Sequence, residues 1–161
     1  MFPIDMKNIY IIILMSLIIN TLALNYGICQ RSLTKTNNLT FDVVFAGTDS
    51  EVLISDATAA KFTIYTNSLT RLTISFVLPA VLTSAGNPDI PVTFDMAHCS
   101  YRKTTNNPTG STYFDPNTTL TISGVKNREY YYVWLGGVAH PPNGTPPATY
   151  TATITITTTQ Y

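Results

Sequence analysis

The chain has 161 residues with 9 Lys and Arg balanced by 9 Asp and Glu, and charged residues make up 11% of it, far below the ~25% of an average soluble domain. A neutral chain with no basic stripe has no electrostatic grip on phosphate backbones or anionic lipid, which excludes nucleic acid as an expected partner. The length suits one domain with a proper core, and its exposed faces must be made of Thr, Ser, Asn, Tyr and Pro.

Ile9 to Leu24 is apolar apart from Ser16, Asn20 and Thr21, and Lys7 stands in front of it. This predicts a secretory signal peptide over residues 1–29, with Gly27 and Cys29 at the positions a signal peptidase reads. The apolar run is shorter than the ~20 residues of a bilayer-spanning helix, so no stable membrane span is expected after cleavage. Cleavage removes Asp5, Lys7 and Cys29, so the remaining chain stays neutral and Cys99 is left without a partner for an intrachain disulfide. The expected location is the periplasm or the extracellular face of the cell.

Residues 30–38 (Q-R-S-L-T-K-T-N-N) are polar and without period, and read as a flexible lead-in. Leu39 to Phe45 alternates, with Leu39, Phe41, Val43 and Phe45 on one side, and predicts the first strand of a domain over 39–161. Gly47 to Ser50 is turn chemistry, Glu51 to Ser55 a short strand, and Ser55 to Lys61 a bend too brief to hold a helix. Lys61 to Tyr65 and Arg71 to Leu78 flank a turn at Asn67-Ser68 and predict a hairpin, which Pro79 ends for want of an N–H.

After a turn at Ser84 to Asp89, Val92, Phe94 and Met96 alternate inward, and Lys103 to Asn117 reads as a surface loop. Leu120 and Ile122 mark a short strand closed by Gly124, and Glu129 to Leu135 is a strand with apolar surface on both faces. Gly136-Gly137 and the Pro-rich residues 141–147 lead into a final strand from Ala148 to Tyr161. There Tyr150, Ala152, Ile154 and Ile156 line one face and threonines the other. About eight short strands with no helical crossover predict an all-β, antiparallel, two-sheet β-sandwich. Its expected core is Phe41, Val43, Phe62, Ile64, Leu72, Ile74, Phe76, Val92, Phe94, Leu120, Ile122, Tyr150, Ile154 and Ile156.

The runs Ala59 to Pro79, Val92 to Met96, Trp134 to Val138 and Pro146 to Ile156 resemble the bacterial secreted family called domain of unknown function 4402. More distantly they are similar to spore-coat-U and fimbrial-subunit (pilin-like) proteins, whose chains also close on a Thr-rich strand with a terminal aromatic. One departure is that a Gly-Thr-Tyr-Thr-Gly pattern expected before the last strand reads here as Ala148-Thr149-Tyr150-Thr151-Ala152. The resemblance implies an immunoglobulin-like sandwich at the cell surface and carries no established activity.

His98-Cys99 is the one place where a nucleophile and a base stand together, but adjacent strand residues point to opposite faces and cannot pair. A zinc site from His98, Cys99 and His140 lacks a fourth ligand and any recognisable spacing. Asp89, Asp95, Asp115 and Glu129 are scattered and belong to no acid–base motif. The expectation is a non-enzymatic structural or adhesive protein with no metal and no cofactor.

Two binding features remain. The block Tyr130-Tyr131-Tyr132-Val133-Trp134 sends Tyr130, Tyr132 and Trp134 one way and Tyr131, Val133 and Leu135 the other; one row is core, and Tyr130, Tyr132 and Trp134 are the candidate platform for a glycan or a protein. The other feature is Leu39, Phe41, Val43 and Phe45, a candidate strand-exchange segment between copies of the chain or toward other surface proteins.

Overall fold

Alternation of β-branched and aromatic residues with polar ones becomes twelve short strands in the computed structural model, which describes residues 32–67 and 70–161. The expected signal peptide and its cleavage site lie outside the described residues. The strands are β1 (Ser32–Asn37), β2 (Ser50–Val52), β3 (Ala60–Tyr65), β4 (Arg71–Val77), β5 (Val81–Leu82), β6 (Ile90–Thr93), β7 (Cys99–Lys103), β8 (Thr112–Tyr113), β9 (Leu120–Ser123), β10 (Tyr130–Leu135), β11 (Gly137–Ala139) and β12 (Thr155–Gln160). They form three antiparallel sheets, ordered β1-β3-β10-β7-β8, β2-β11-β6-β5 and β12-β4-β9. The fold is the expected all-β sandwich, with more strands than eight and with one side divided between two sheets.

The core lies where the five-stranded sheet faces the three-stranded one. Ile64 of β3, Leu72 and Ile74 of β4, and Val133 and Leu135 of β10 are fully buried. The Phe62 ring meets Phe76 across the gap at 6.0 Å, and Phe76 stacks on Phe114 at 6.4 Å. Thus β3 and β4, expected to pair as a hairpin, belong to opposite sheets. Each presents its apolar face to the other, so chain reversal here crosses the sandwich instead of staying within one sheet.

The crossing is held at Thr66, which is fully buried. Its hydroxyl donates to the Lys126 carbonyl at 2.7 Å and accepts from the Glu129 N–H at 3.1 Å, and its own N–H donates to the Glu129 carbonyl at 2.9 Å. Thr66→Val keeps the shape and leaves two part-buried backbone groups without their partner, which is expected to cost about 1–3 kcal/mol. Urea unfolding measures it, and a loss below about 0.5 kcal/mol, the scatter of neutral surface changes, would contradict this role.

Several further expectations are corrected. The polar lead-in is a strand: residues 32–37 pair with β3, Leu33 opposite Ile64 and Thr34 opposite Thr63, because an edge strand needs backbone partners more than apolar side chains. Having β1 on one side and β10 on the other, β3 has no edge left for residues 39–45, and these form no strand. Asp42 there adopts φ +42°, which breaks the extended run. Val43, expected in the core, is 77% exposed and Phe45 on the same predicted face is 70% exposed, while Leu39 and Phe41 are half-buried against the core.

Met96 is exposed rather than inward because Asp95 caps a 3-10 turn over Met96–His98 that ends the alternation. The expected surface loop over 103–117 contains β8 and then buries Phe114. Gly137, expected to lead into the final strand, opens β11 instead; a Cβ on Gly136 just before it would collide with the Val52 carbonyl, so only glycine lets β2 approach. The final strand starts at Thr155, not Ala148: Pro146 and Pro147 have no N–H, and Thr151 makes a lone bridge to Thr83. Its predicted parity is correct from Ile154 onward and continues to Gln160, which is buried.

Candidate functional site

Among the described residues the sandwich is open on one side. β1 ends the five-stranded sheet and β12 ends the three-stranded sheet, and each is six residues long. Beside β1 lies a cleft of about 930 Å³ whose floor reaches Ala60, Phe62, Ile90 and Phe94 and whose walls are residues 38–46 and 145–154, the latter leading into β12. No strand fills it. Among the described residues no backbone N–H of residues 41–46 finds a backbone partner, and the Phe45 carbonyl accepts from the nearby Thr48 N–H.

The two long edges differ. β1 carries Lys35 opposite Phe62 and a bulge between Lys35 and Asn37, two features that discourage a further strand. β12 has no charge, no proline and an unbroken register against β4 from Thr155 to Gln160. The other edge strands, β2, β5, β8 and β9, have two to four residues, too short to template much pairing. The exposed candidates Val43 and Phe45 stand on the wall of this cleft.

The aromatic block divides as alternation requires. Tyr131, Val133 and Leu135 face the core, and the Tyr131 phenol donates to Glu129 at 3.3 Å; burial first, then the Glu129 carboxylate, push its pKa up to about 12. The other row runs along the outer face of the five-stranded sheet, where Tyr65 of β3 extends it. Ring centroids are 4.9 Å apart for Tyr65–Tyr130, 6.3 Å for Tyr130–Tyr132 and 6.2 Å for Tyr132–Trp134.

Trp134, named as part of the platform, is only 4% exposed. Pro108, Ile54 to Ala57 and Ala59 line the same shallow pocket as Trp134, and the Arg102 guanidinium donates to the Thr109 and Asn107 carbonyls, fastening the 104–111 loop. The available row is therefore Tyr65, Tyr130 and Tyr132. Sequence reasoning missed Tyr65 because strand pairing, not spacing, brings it beside Tyr130.

His98 and Cys99 are both buried, and they do different things. Cys99 joins the core, and its thiol pKa is pushed up by burial first and by Asp115 second, so it stays protonated. His98 donates from Nδ1 to Asp95 at 2.7 Å and from Nε2 to Glu51 at 2.8 Å. Burial pulls its pKa down, but the hydrogen bonds to Glu51 and Asp95 outweigh burial and the net shift is upward. With a carboxylate on each ring nitrogen, His98 ties β2 to the Asp95 turn. His140 makes a second tie, Nδ1 to Asp49 at 2.9 Å and Nε2 to Thr93 at 2.9 Å.

A raised folded pKa places the stabilising effect of His98 below its unfolded value of ~6.5 and removes it as pH rises through the folded value. The melting temperature is therefore expected to fall from pH 6 to pH 9, and to lose that slope in His98→Gln. An unchanged slope in the variant would sink the tie.

Asp89 stands just before β6, Asp115 opens a turn, and Glu129 pairs with Lys103 at 2.8 Å. Asp115 accepts from the Asn117 N–H, so it does turn work. Among the described residues no three His, Cys, Asp or Glu side chains gather as a metal site. No family model, no curated protein and no solved structure matches the chain.

Proposed function

We propose that this chain is a non-enzymatic, secreted surface subunit that assembles with copies of itself by strand addition. Residues 41–45 of one copy lie along the free edge of β12 in the next, with Phe41, Val43 and Phe45 entering the open cleft. The observation that carries this reading is the combination, among the described residues, of an undefended six-residue edge, an apolar-floored cleft walled by the segment that leads into that edge strand, and an unpaired apolar segment on the same cleft. Pairing lets Asp42 leave its positive φ for the extended region that side chains prefer. Burying Val43 and Phe45 contributes roughly 1.5–3 kcal/mol each, and the added backbone hydrogen bonds fix register.

Donor and acceptor are different surfaces, so the contact is heterologous and propagates as an open chain rather than closing into a dimer. A surface role is supported by the apolar leader of residues 9–24 and by the scarcity of charge. Size-exclusion chromatography and negative-stain microscopy of the Gln30–Tyr161 chain test the proposal. Elongated species that grow with concentration are expected, and a monomer at high concentration would refute it.

A further inference from the structure

We infer that the outer face of the five-stranded sheet is a binding site for an acidic linear polysaccharide, a polymer of uronic-acid sugars. The centroids of Tyr130 and Tyr132 are 6.3 Å apart with ring planes 16° apart. Carbon atoms touch at roughly 3.5–4.0 Å, so neither ring covers the other's face and both keep a face for a third ring. Tyr65 continues the row from the neighbouring strand, which makes a track of three tyrosines across two strands rather than an isolated aromatic. Tyr130 is 46% exposed, and Tyr65 and Tyr132 are half-buried, their bodies fixed by the sheet. A ligand therefore meets rings already ordered, and little side-chain entropy is lost on binding.

Charge sets the class of ligand. The outward positions of this sheet beside the tyrosines that reach solvent are Thr34, Thr63, Lys61 and Arg102, placed by register opposite or next to the aromatic row. None is acidic. Lys61 donates no hydrogen bond and enters no ion pair among the described residues, although it is half-buried beside Trp134. Arg102 spends its donors on two loop carbonyls, which leaves its charge uncompensated. Asp56, at the border of the shallow pocket beyond Trp134, accepts from the Leu53 N–H.

Stacking faces, hydroxyl partners and two unpaired cations fit a chain of sugar rings bearing carboxylates. A single-stranded nucleic acid would also stack, but it needs a continuous basic groove along its phosphates, and two cations on a chain of zero net charge do not make one. The cleft beside β1 takes no part, so the site is independent of self-association.

The chain's one tryptophan, Trp134, sits 6.2 Å from Tyr132 and reports occupancy through its fluorescence. Titration uses the Gln30–Tyr161 chain and its Val43→Asp/Phe45→Asp variant, with polygalacturonate as the probe and dextran, poly-aspartate and oligo-dT as comparisons. A saturable change with polygalacturonate is expected in both proteins, weakened about 3- to 10-fold by Tyr130→Ala, the worth of one aromatic contact. Lys61→Gln should weaken it as well and reduce its salt dependence. Absence of binding, or binding that neither substitution changes, would overturn the inference. Equal binding of dextran would remove the role of charge, and equal binding of poly-aspartate or oligo-dT would remove the role of the sugar.

Discussion

Phe62→Ala is expected to lower the free energy of unfolding by about 3–5 kcal/mol, a large part of the ~5–15 kcal/mol that holds a domain together. Phe62 is 5% exposed, stands against Phe76 across the sandwich, and forms the floor of the cleft. Truncation removes its dispersion contacts on both sheets and leaves a void that the strands cannot close without breaking register. Tyr130→Ala, on the outer face of the same sheet, should cost far less because its ring is 46% exposed. Denaturant unfolding of the two variants separates core from surface, and similar losses in both would mean that the inner and outer faces of β10 and β3 are wrongly assigned.

The second large effect concerns association. Val43→Asp with Phe45→Asp should abolish growth into elongated species while shifting the stability of the monomer by no more than about 0.5 kcal/mol. Both side chains project into solvent, so the monomer loses no packing. In the assembly the same positions enter an apolar cleft, where an unpaired carboxylate is strongly disfavoured. Sedimentation velocity of the variant against the parent chain measures the change. Undiminished association would show that residues 41–45 are not the donor, and a variant that fails to fold would show that they belong to the core.

What the sequence made legible follows from what alternation encodes. In β3, β4 and β10 the period of two fixed which side chains face inward, and Phe62, Ile64, Leu72 and Ile74 are buried as expected. Period says nothing about neighbours. Lys61 to Tyr65 and Arg71 to Leu78 look like a hairpin in any local window, yet the crossing at Thr66 depends on carbonyls at positions 126 and 129, sixty and more residues away. Residues 39–45 alternate as well as any strand here, but pairing also needs a vacant edge, and β1 had taken it. That β1 would form from Ser32–Asn37 left little trace in side-chain chemistry, since an edge strand with one apolar residue is held mainly by its backbone.

The candidate site was partly legible for the same reason. Alternation divided the aromatic block correctly into two rows, and the inner row is the core. It could not show that Trp134 is buried, or that Tyr65 joins the row from another strand. His98 gave no useful local signal either, because its partner Glu51 is 47 positions away and reaches it only through the fold. The open side is an attribute of two sheets together, and no single segment of sequence carries it.

Amide hydrogen exchange over residues 155–160, followed as the concentration of the Gln30–Tyr161 chain is raised, tests strand addition most directly. The amides of β12 that face its free edge should slow as copies associate, in step with those of residues 41–45, and neither set should slow in Val43→Asp/Phe45→Asp. Association that leaves exchange in β12 unchanged would contradict strand addition at this edge.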